Sequence, residues 1–150
     1  MPNKAKVKAA RMENELANIL WNMGYAVVRG PSSGSGARRR FQPDLIAVKD
    51  GVVLVFEVKM HSGGSEPIYI PKRQVDGLRE FASRAGALVY IAVRIRGGGW
   101  RFHKLSTLPE TRGGGVRIDN PATGIKLLEL DELLFKKSKR ITEFMDAGRS

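Results

Sequence analysis

The chain has 150 residues, of which 42% are hydrophobic and 27% charged, so it is long enough for one globular domain with a substantial core. Its 26 basic and 15 acidic residues give a net charge of +11, which favours polyanionic partners such as nucleic acid and makes their binding salt-sensitive. The absence of cysteine excludes thiolate sites, and two histidines are too few for an imidazole zinc site, so a bound metal should be hard and oxygen-ligated.

The N-terminal half is predicted to form a helix followed by three strands. In chain order we predict a basic, flexible arm (residues 1–10), a helix ending at Gly24, a strand (25–28), a Gly/Ser-rich loop (30–36) and two further strands (45–48 and 52–58). Leu16 and Leu20 illustrate the helical spacing of apolar residues. Asp50-Gly51 between the last two strands is typical of a tight hairpin. Since the second strand of the hairpin is apolar on both faces, it is predicted to be central in its sheet.

The C-terminal half continues the same alternation with weaker signals towards the end. We predict an extended segment (68–70), a helix from Pro71 to about Ala85, a strand (87–93), a return strand (100–103), one short strand between residues 115 and 121, a helix (130–144) and a frayed tail (145–150). This order predicts a single α/β domain over residues 1–150, with a central mixed β-sheet of four to five strands flanked by helices.

The hairpin brings two carboxylates together. In a two-residue hairpin centred on Asp50-Gly51, the pairing continues outward until Asp44 lies opposite Glu57, with their Cβ atoms about 5 Å apart. Like charges in this position are destabilising, so the pair calls for a cation. Lys59 lies two residues after Glu57 on the same strand and therefore points to the same face. These residues predict a site in which a divalent metal and a lysine border two carboxylates.

A third acid is predicted to join this pair from the first helix. Glu13 lies at the edge of the buried helix face, whereas Glu15 is the better candidate for an ordinary surface charge. Cleavage of a phosphodiester, an anion, needs positive charge around its transition state. Mg²⁺ held by Glu13, Asp44 and Glu57 would supply that charge, with Mn²⁺ as a substitute, and Lys59 would polarise the water or neutralise phosphate. The predicted activity is metal-dependent phosphodiester hydrolysis.

An ordered set of motifs between Arg11 and Phe102 resembles the archaeal Holliday junction resolvases of the restriction-endonuclease-like superfamily. The motifs are Met12-Glu13, residues 24–29 (Gly-Tyr-Ala-Val-Val-Arg), the Gly-Pro-Ser-Ser-Gly-Ser loop, residues 43–47 (Pro-Asp-Leu-Ile-Ala), residues 56–59 (Phe-Glu-Val-Lys), residues 69–74 and Glu80-Phe81-Ala82. After Phe102 the resemblance is loose. It implies a restriction-endonuclease-like fold and an endonuclease that resolves four-way junctions during recombination and repair.

The resemblance also implies roles for individual residues. Those implied to form the active site are Glu13, Asp44, Glu57 and Lys59. The Val58 carbonyl is implied as a further metal ligand, Arg29 and Ser33 as residues near the scissile phosphate, and Gln74 as a flanking residue. Some relatives carry arginine directly after the helix-one glutamate, where this chain has Asn14, so any role of that arginine is in doubt here.

Junction DNA is the expected partner, and the family implies a homodimer. An isologous dimer suits a substrate with approximate two-fold symmetry, because it presents two active sites to two opposed strands. Recognition should depend on shape and backbone more than on base sequence. The DNA-contact candidates are Lys4, Lys6, Lys8, Arg11, Arg38, Arg39, Arg40, Lys72, Arg73 and Gln74. Trp100 and Phe102 are predicted to be packing residues.

Two alternatives remain open from the sequence. One is another nuclease of the same superfamily, a repair nickase or restriction-like enzyme that cuts ordinary duplex. The other is an architectural DNA-binding protein without an active site, although a binding protein has no reason to place Asp44 opposite Glu57. The chain has neither an apolar run of about 20 residues nor a secretory signal, so we expect a cytoplasmic, nucleoid-associated protein with no membrane and no small-molecule substrate.

Overall fold

Helices and strands alternate through the part of the chain that the computed structural model describes, residues 3–31 and 40–136. In chain order they are α1 (Lys4–Asn22), β1 (Ala26–Arg29), β2 (Leu45–Lys49), β3 (Val52–His61), β4 (Ile68–Ile70), α2 (Lys72–Ala85), β5 (Leu88–Ile95), β6 (Gly99–Lys104) and β7 (Val116–Ile118). Short 3₁₀ turns cover Leu105–Thr107 and Pro121–Thr123. Residues 127–136 are again helical.

A five-stranded mixed sheet in the order β1-β2-β3-β5-β6 confirms the predicted α/β architecture. β3 and β5 are parallel, whereas the other neighbours in this sheet are antiparallel. A parallel pair needs a crossover connection, and β4 and α2 provide it. β4 leaves the main sheet and pairs with β7 in a separate two-stranded ribbon. The prediction that β3 is central is confirmed by its place in the middle of the order.

The two faces of the sheet carry separate apolar clusters. Phe56 of β3 lies in the cluster with Leu16 and Leu20 of α1, and Leu130 of the C-terminal helical segment joins it. Val55 points to the opposite face and lies in the cluster with α2 and the β4–β7 ribbon. Both faces of β3 are thus covered, which explains its continuous apolar sequence. No helix among the described residues is long and apolar enough to cross a membrane.

The N-terminal arm is the main correction to the predicted fold. Residues 4–10 are not a flexible arm, because α1 already begins at Lys4. The Asn3 side chain caps this helix by accepting a hydrogen bond from the Ala5 N–H at 3.0 Å. Alanine and lysine, which dominate the segment, are strong helix formers, so local propensity continues the helix to its cap.

Other boundaries shift by smaller amounts. β3 runs three residues beyond the predicted end at Val58 because it continues to pair with β5 as far as His61. Pro71 caps α2 instead of starting it. The last helix begins at residue 127, before the predicted start at 130. Its predicted continuation to 144 and the predicted tail over 145–150 lie outside the described residues.

Candidate active site

The β2–β3 hairpin has the predicted register. Lys49 pairs with Val52 and the ladder continues to Leu45 opposite Phe56, which puts Asp44 and Glu57 at the next step. Asp50 and Gly51 both have positive φ angles, 48° and 79°, as a type I′ turn requires. This local geometry fixes the relative position of the two carboxylates.

Asp44 lies just before β2 and is tied to β3 through the backbone. Its Oδ2 atom accepts a hydrogen bond of 2.8 Å from the N–H of Val58. The N–H and C=O of one strand residue point to the same neighbouring strand, so the Val58 carbonyl also faces the Asp44 side. Because β2 begins only at Leu45, opposite Phe56, the residues of β3 beyond Phe56 have no paired strand residue on this side. The Val58 carbonyl and the Asp44 carboxylate therefore lie on the same side of β3.

Glu57 is the one charged or polar residue among the described residues that is buried, with 7% of its surface exposed. Burial, followed by the nearby Asp44 carboxylate, raises the pKa of Glu57 to about 8, and Lys59 only partly offsets this. In the protonated state Glu57 shares a hydrogen bond with Asp44. When both groups are ionised, the Asp44 and Glu57 carboxylates therefore place two negative charges close together at a partly buried site.

Lys59 lies beside this pair, as the strand alternation predicts. Its Nζ atom is 4.0 Å from Glu57 Oε1 and donates a hydrogen bond of 3.0 Å to Gln74 Oε1. Gln74 belongs to the first turn of α2, whose N-terminus therefore approaches the end of β3. Gln74 thus flanks the carboxylates and holds the lysine head group.

Glu13 approaches from α1 and is paired with Arg29 of β1. Arg29 donates from Nη2 to Glu13 Oε2 at 2.9 Å and from Nη1 to Asn14 Oδ1 at 2.9 Å. Burial raises the pKa of Glu13, the hydrogen bond from Arg29 lowers it, and Asp44 raises it again. The influence of Asp44 on Glu13, and of Glu13 on Glu57, shows that the three acids share one electrostatic environment.

Two contacts of α1 are not predictable from local sequence patterns. Asn14 binds Arg29, which lies 15 residues further along the chain on β1. Glu15 is not an ordinary surface charge, because it accepts hydrogen bonds from Arg94 at 3.0 Å and from Trp100 at 2.9 Å. It fastens α1 to the far strands of the sheet.

The donors present fit a magnesium ion. Asp44, Glu57 and the Val58 carbonyl offer hard oxygen ligands, and the pKa of Glu57 is raised by burial and then by the Asp44 charge, both of which a bound cation would offset. Within the described residues no three carboxylates or imidazoles are arranged as a ready metal cage. Mg²⁺ commonly binds through one or two carboxylates and keeps several waters, so it does not need such a cage.

The DNA-contact candidates occupy different surfaces. Lys4, Lys6, Lys8 and Arg11 are exposed along α1, and Lys72 and Arg73 are exposed at the start of α2. Arg40 lines an open cavity of about 820 Å³ with Phe41, Phe81 and Arg84, and neither Asp44 nor Glu57 lines this cavity. Ser33, Arg38 and Arg39 lie outside the described residues. Trp100 and Phe102 are buried in the core, which confirms their packing role.

Comparisons with known proteins agree with one another. The family described as "Archaeal holliday junction resolvase (hjc)" matches residues 4–140. The chain is similar to the "Crossover junction endodeoxyribonuclease Hjc" of Sulfurisphaera tokodaii, with 37% identity over 97% of this chain and 98% of that protein. The protein of the same name from Sulfolobus acidocaldarius is 33% identical over 95% of this chain and 96% of its own length.

A solved structure shows the same fold. The structure of "Archaeoglobus fulgidus Hjc, a Holliday junction resolvase from an archaeal hyperthermophile" matches with a TM-score of 0.71 and 30% sequence identity. The match covers 81% of this chain and 98% of that one. The restriction-endonuclease-like fold expected from the sequence is thereby confirmed.

Proposed function

This chain belongs to the family of archaeal Holliday junction resolvases, and on that premise we propose that it is an endonuclease that resolves four-way DNA junctions by cutting two opposed strands. The observation that carries the proposal is the placement of Asp44 beside the buried Glu57 with Lys59 at 4.0 Å, on a protein of net charge +11. A protein that only binds DNA gains nothing from a buried Glu57 next to Asp44, because the two carboxylates repel the backbone phosphates.

The side chains suit hydrolysis of a phosphodiester. The Lys59 ammonium, held by Gln74, is placed to neutralise a nonbridging phosphate oxygen or to orient a water. Asp44 and Glu57 provide acceptors that can position the same water and receive its proton. The Arg29 guanidinium lies beside this group. It can exchange its ion pair with Glu13 for an ion pair with a substrate phosphate.

We propose that Mg²⁺ is the cofactor, with Mn²⁺ as a substitute. Asp44, Glu57 and the Val58 carbonyl would hold the ion, with Glu13 as a further ligand. When bound, it supplies the positive charge that activates water and stabilises charge on the phosphate in the transition state. The raised pKa of Glu57 supports this, because a cation would relieve the crowding by Asp44.

We propose that the working form is a homodimer. An apolar surface on the outer part of the sheet supports this. Ala26 of β1 pairs with Val48 of β2, and Val28 pairs with Ile46, so these four side chains lie on one face. Val28 lies on the edge strand β1 and is 62% exposed on this face. Such an apolar face is better covered than left in water, and a two-fold dimer would present two active sites to a two-fold junction. Val28→Lys should therefore shift the protein towards monomer in sedimentation velocity.

The experiment that tests the proposed function compares two substrates. The protein is incubated with Mg²⁺ and either a four-way junction or a linear duplex of the same arm sequence, and nicks are mapped on denaturing gels. We expect paired nicks on opposed strands of the junction and little cutting of the duplex. Equal cutting of both would favour a duplex nuclease of the same superfamily, and binding without any cutting would favour an architectural role.

A matched pair of variants tests the assignment on α1. Glu13→Gln should abolish or strongly reduce junction cleavage, because Glu13 shares the electrostatic environment of Asp44 and Glu57. Glu15→Gln lies two residues away, removes the same charge and should leave the cleavage rate of the folded protein unchanged. If both variants cut at the rate of the unmodified chain, Glu13 does not belong to the active site.

A further inference from the structure

Tyr69 stands out because its ring lies in solvent on an otherwise well-packed ribbon. The side chain is 63% exposed, whereas Ile68 and Ile70 on either side of it pack into the cluster beneath α2. The period-two alternation of β4 turns the tyrosine outward. Within the described residues no aromatic ring stacks on Tyr69 and no cation lies over it. Its two ring faces are therefore available.

The ribbon holds this ring in a fixed place. β4 pairs with β7 from Ile68 opposite Ile118 to Ile70 opposite Val116, and these four side chains belong to one buried cluster. A backbone anchored on one face by four apolar side chains loses little further entropy when a ligand contacts the other face. Tyr69 is thus a preorganised aromatic surface.

Tyr69 is also close to the candidate active site along a rigid connection. Only Ile70 separates it from Pro71, whose carbonyl accepts the N–H of Gln74, and Gln74 binds the Lys59 ammonium. Two extended residues and one helical turn span at most about 12 Å between the Cα atoms of Tyr69 and Gln74. Since duplex DNA rises 3.4 Å per base pair, this is about three to four base pairs.

The charge around Tyr69 suits nucleic acid. Arg117 lies directly opposite it on β7, and Lys72 and Arg73 follow it within four residues. Lys72 and Arg117 have acidic neighbours in Asp76, at 2.5 Å, and Asp119, at 2.6 Å, so part of this charge is already balanced. Aromatic rings interleaved with cations are the arrangement that binds bases by stacking while the cations contact the backbone.

We propose that Tyr69 forms a stacking subsite for a base at the branch point of the junction. This inference rests on the proposed function, because branched DNA is the substrate that offers such a base. In a continuous duplex each base is stacked on both sides, so the ring has no free base to contact. At the point where strands exchange, stacking is interrupted, and the ring replaces the missing neighbour. Tyr69 would therefore contribute to the choice of junction over duplex and not to the chemical step.

The test measures binding of a four-way junction that carries 2-aminopurine at the branch point and of a matched linear duplex, without added divalent metal so that no cleavage interferes. Tyr69→Ala should weaken junction binding about tenfold, as expected for loss of one stacked base, and change duplex binding less than about twofold. Tyr69→Phe should retain junction affinity, because it keeps the ring. The unmodified protein should quench the fluorescence of 2-aminopurine at the branch point, and this quenching should be lost in the alanine variant only.

Trp21 provides a matched control. It is 64% exposed on the last turn of α1, where no basic residue lies, so Trp21→Ala should change neither affinity. The preference of the unmodified protein for junction over duplex tests the proposed function separately. The inference is overturned if Tyr69→Ala weakens junction and duplex binding equally, leaves both unchanged, or alters the oligomeric state at unchanged junction affinity. That last result would assign the ring to a protein interface.

Discussion

Glu57 is predicted to destabilise the metal-free protein as the pH rises. Burial and the Asp44 carboxylate raise the pKa of Glu57 from 4.5 to about 8. In the unfolded chain the carboxyl ionises near its ordinary value. Between these two values the folded protein keeps a proton that the unfolded chain has lost, so the free energy of unfolding falls with increasing pH. Below pH 4.5 both states are protonated, and above pH 8 both are ionised, so the slope vanishes at either end.

The magnitude follows from the size of the shift. One pKa unit corresponds to about 1.36 kcal/mol, so a rise from 4.5 to about 8 corresponds to about 5 kcal/mol. We expect about 2 to 5 kcal/mol of this difference to be observed. Glu57→Gln keeps the size of the side chain and cannot ionise. The variant should therefore be about as stable as the unmodified protein near pH 4.5 and more stable by this amount near pH 9.

Urea unfolding of both proteins in EDTA, across this pH range, measures the difference directly. Glu15→Gln is the control for the loss of a carboxylate in general. Glu15 accepts hydrogen bonds from Arg94 and Trp100, so this variant should be less stable than the unmodified protein. Adding Mg²⁺ should narrow the gap between the unmodified protein and Glu57→Gln. A stability difference that does not change with pH, or a glutamine variant that is less stable at pH 9, would show that folding does not raise the pKa of Glu57.

Three further outcomes follow from single contacts and from charge. Gln74→Ala should slow junction cleavage about tenfold in single-turnover assays, because it releases the Lys59 ammonium, and should weaken junction binding in gel shifts only slightly; an unchanged cleavage rate would contradict this role. Tyr25→Phe removes a hydrogen bond of 2.7 Å to Asp131 and should cost about 1 kcal/mol in urea unfolding, with cleavage retained. Raising salt from about 50 to 200 mM should weaken junction binding at least about a hundredfold, and a salt-independent affinity would contradict backbone recognition.

The features that the sequence predicted well are set by local geometry. The type I′ turn at Asp50-Gly51 determines which residues of β2 and β3 pair, so the positions of Asp44 and Glu57 could be counted from the turn. Strand alternation likewise placed Lys59 beside Glu57. Both rules act within about ten residues and need no knowledge of the rest of the fold.

The features that it missed depend on distant partners or on competing local signals. Glu15 looked like a solvent-exposed charge because its partner Trp100 is 85 residues away. Asn14 gains its contact only when β1 brings Arg29 alongside α1. The basic residues before Arg11 suggested a flexible arm, but the Asn3 cap and strong helix formers extend α1 instead. Charge alone therefore did not distinguish a solvated helix from an unstructured segment.

The proposed nuclease activity depends on the Asp44 carboxylate, which lies just before β2 and beside Glu57 of β3. Asp44→Asn tests it most directly, because the asparagine keeps an oxygen that can accept the Val58 N–H hydrogen bond of 2.8 Å while removing the charge. Binding and cleavage of one labelled four-way junction are measured for this variant and the unmodified protein, with Mg²⁺ present in the cleavage reaction. We expect unchanged junction affinity with no detectable nicks, and nicking at the unmodified rate would contradict the assignment of Asp44 to the active site.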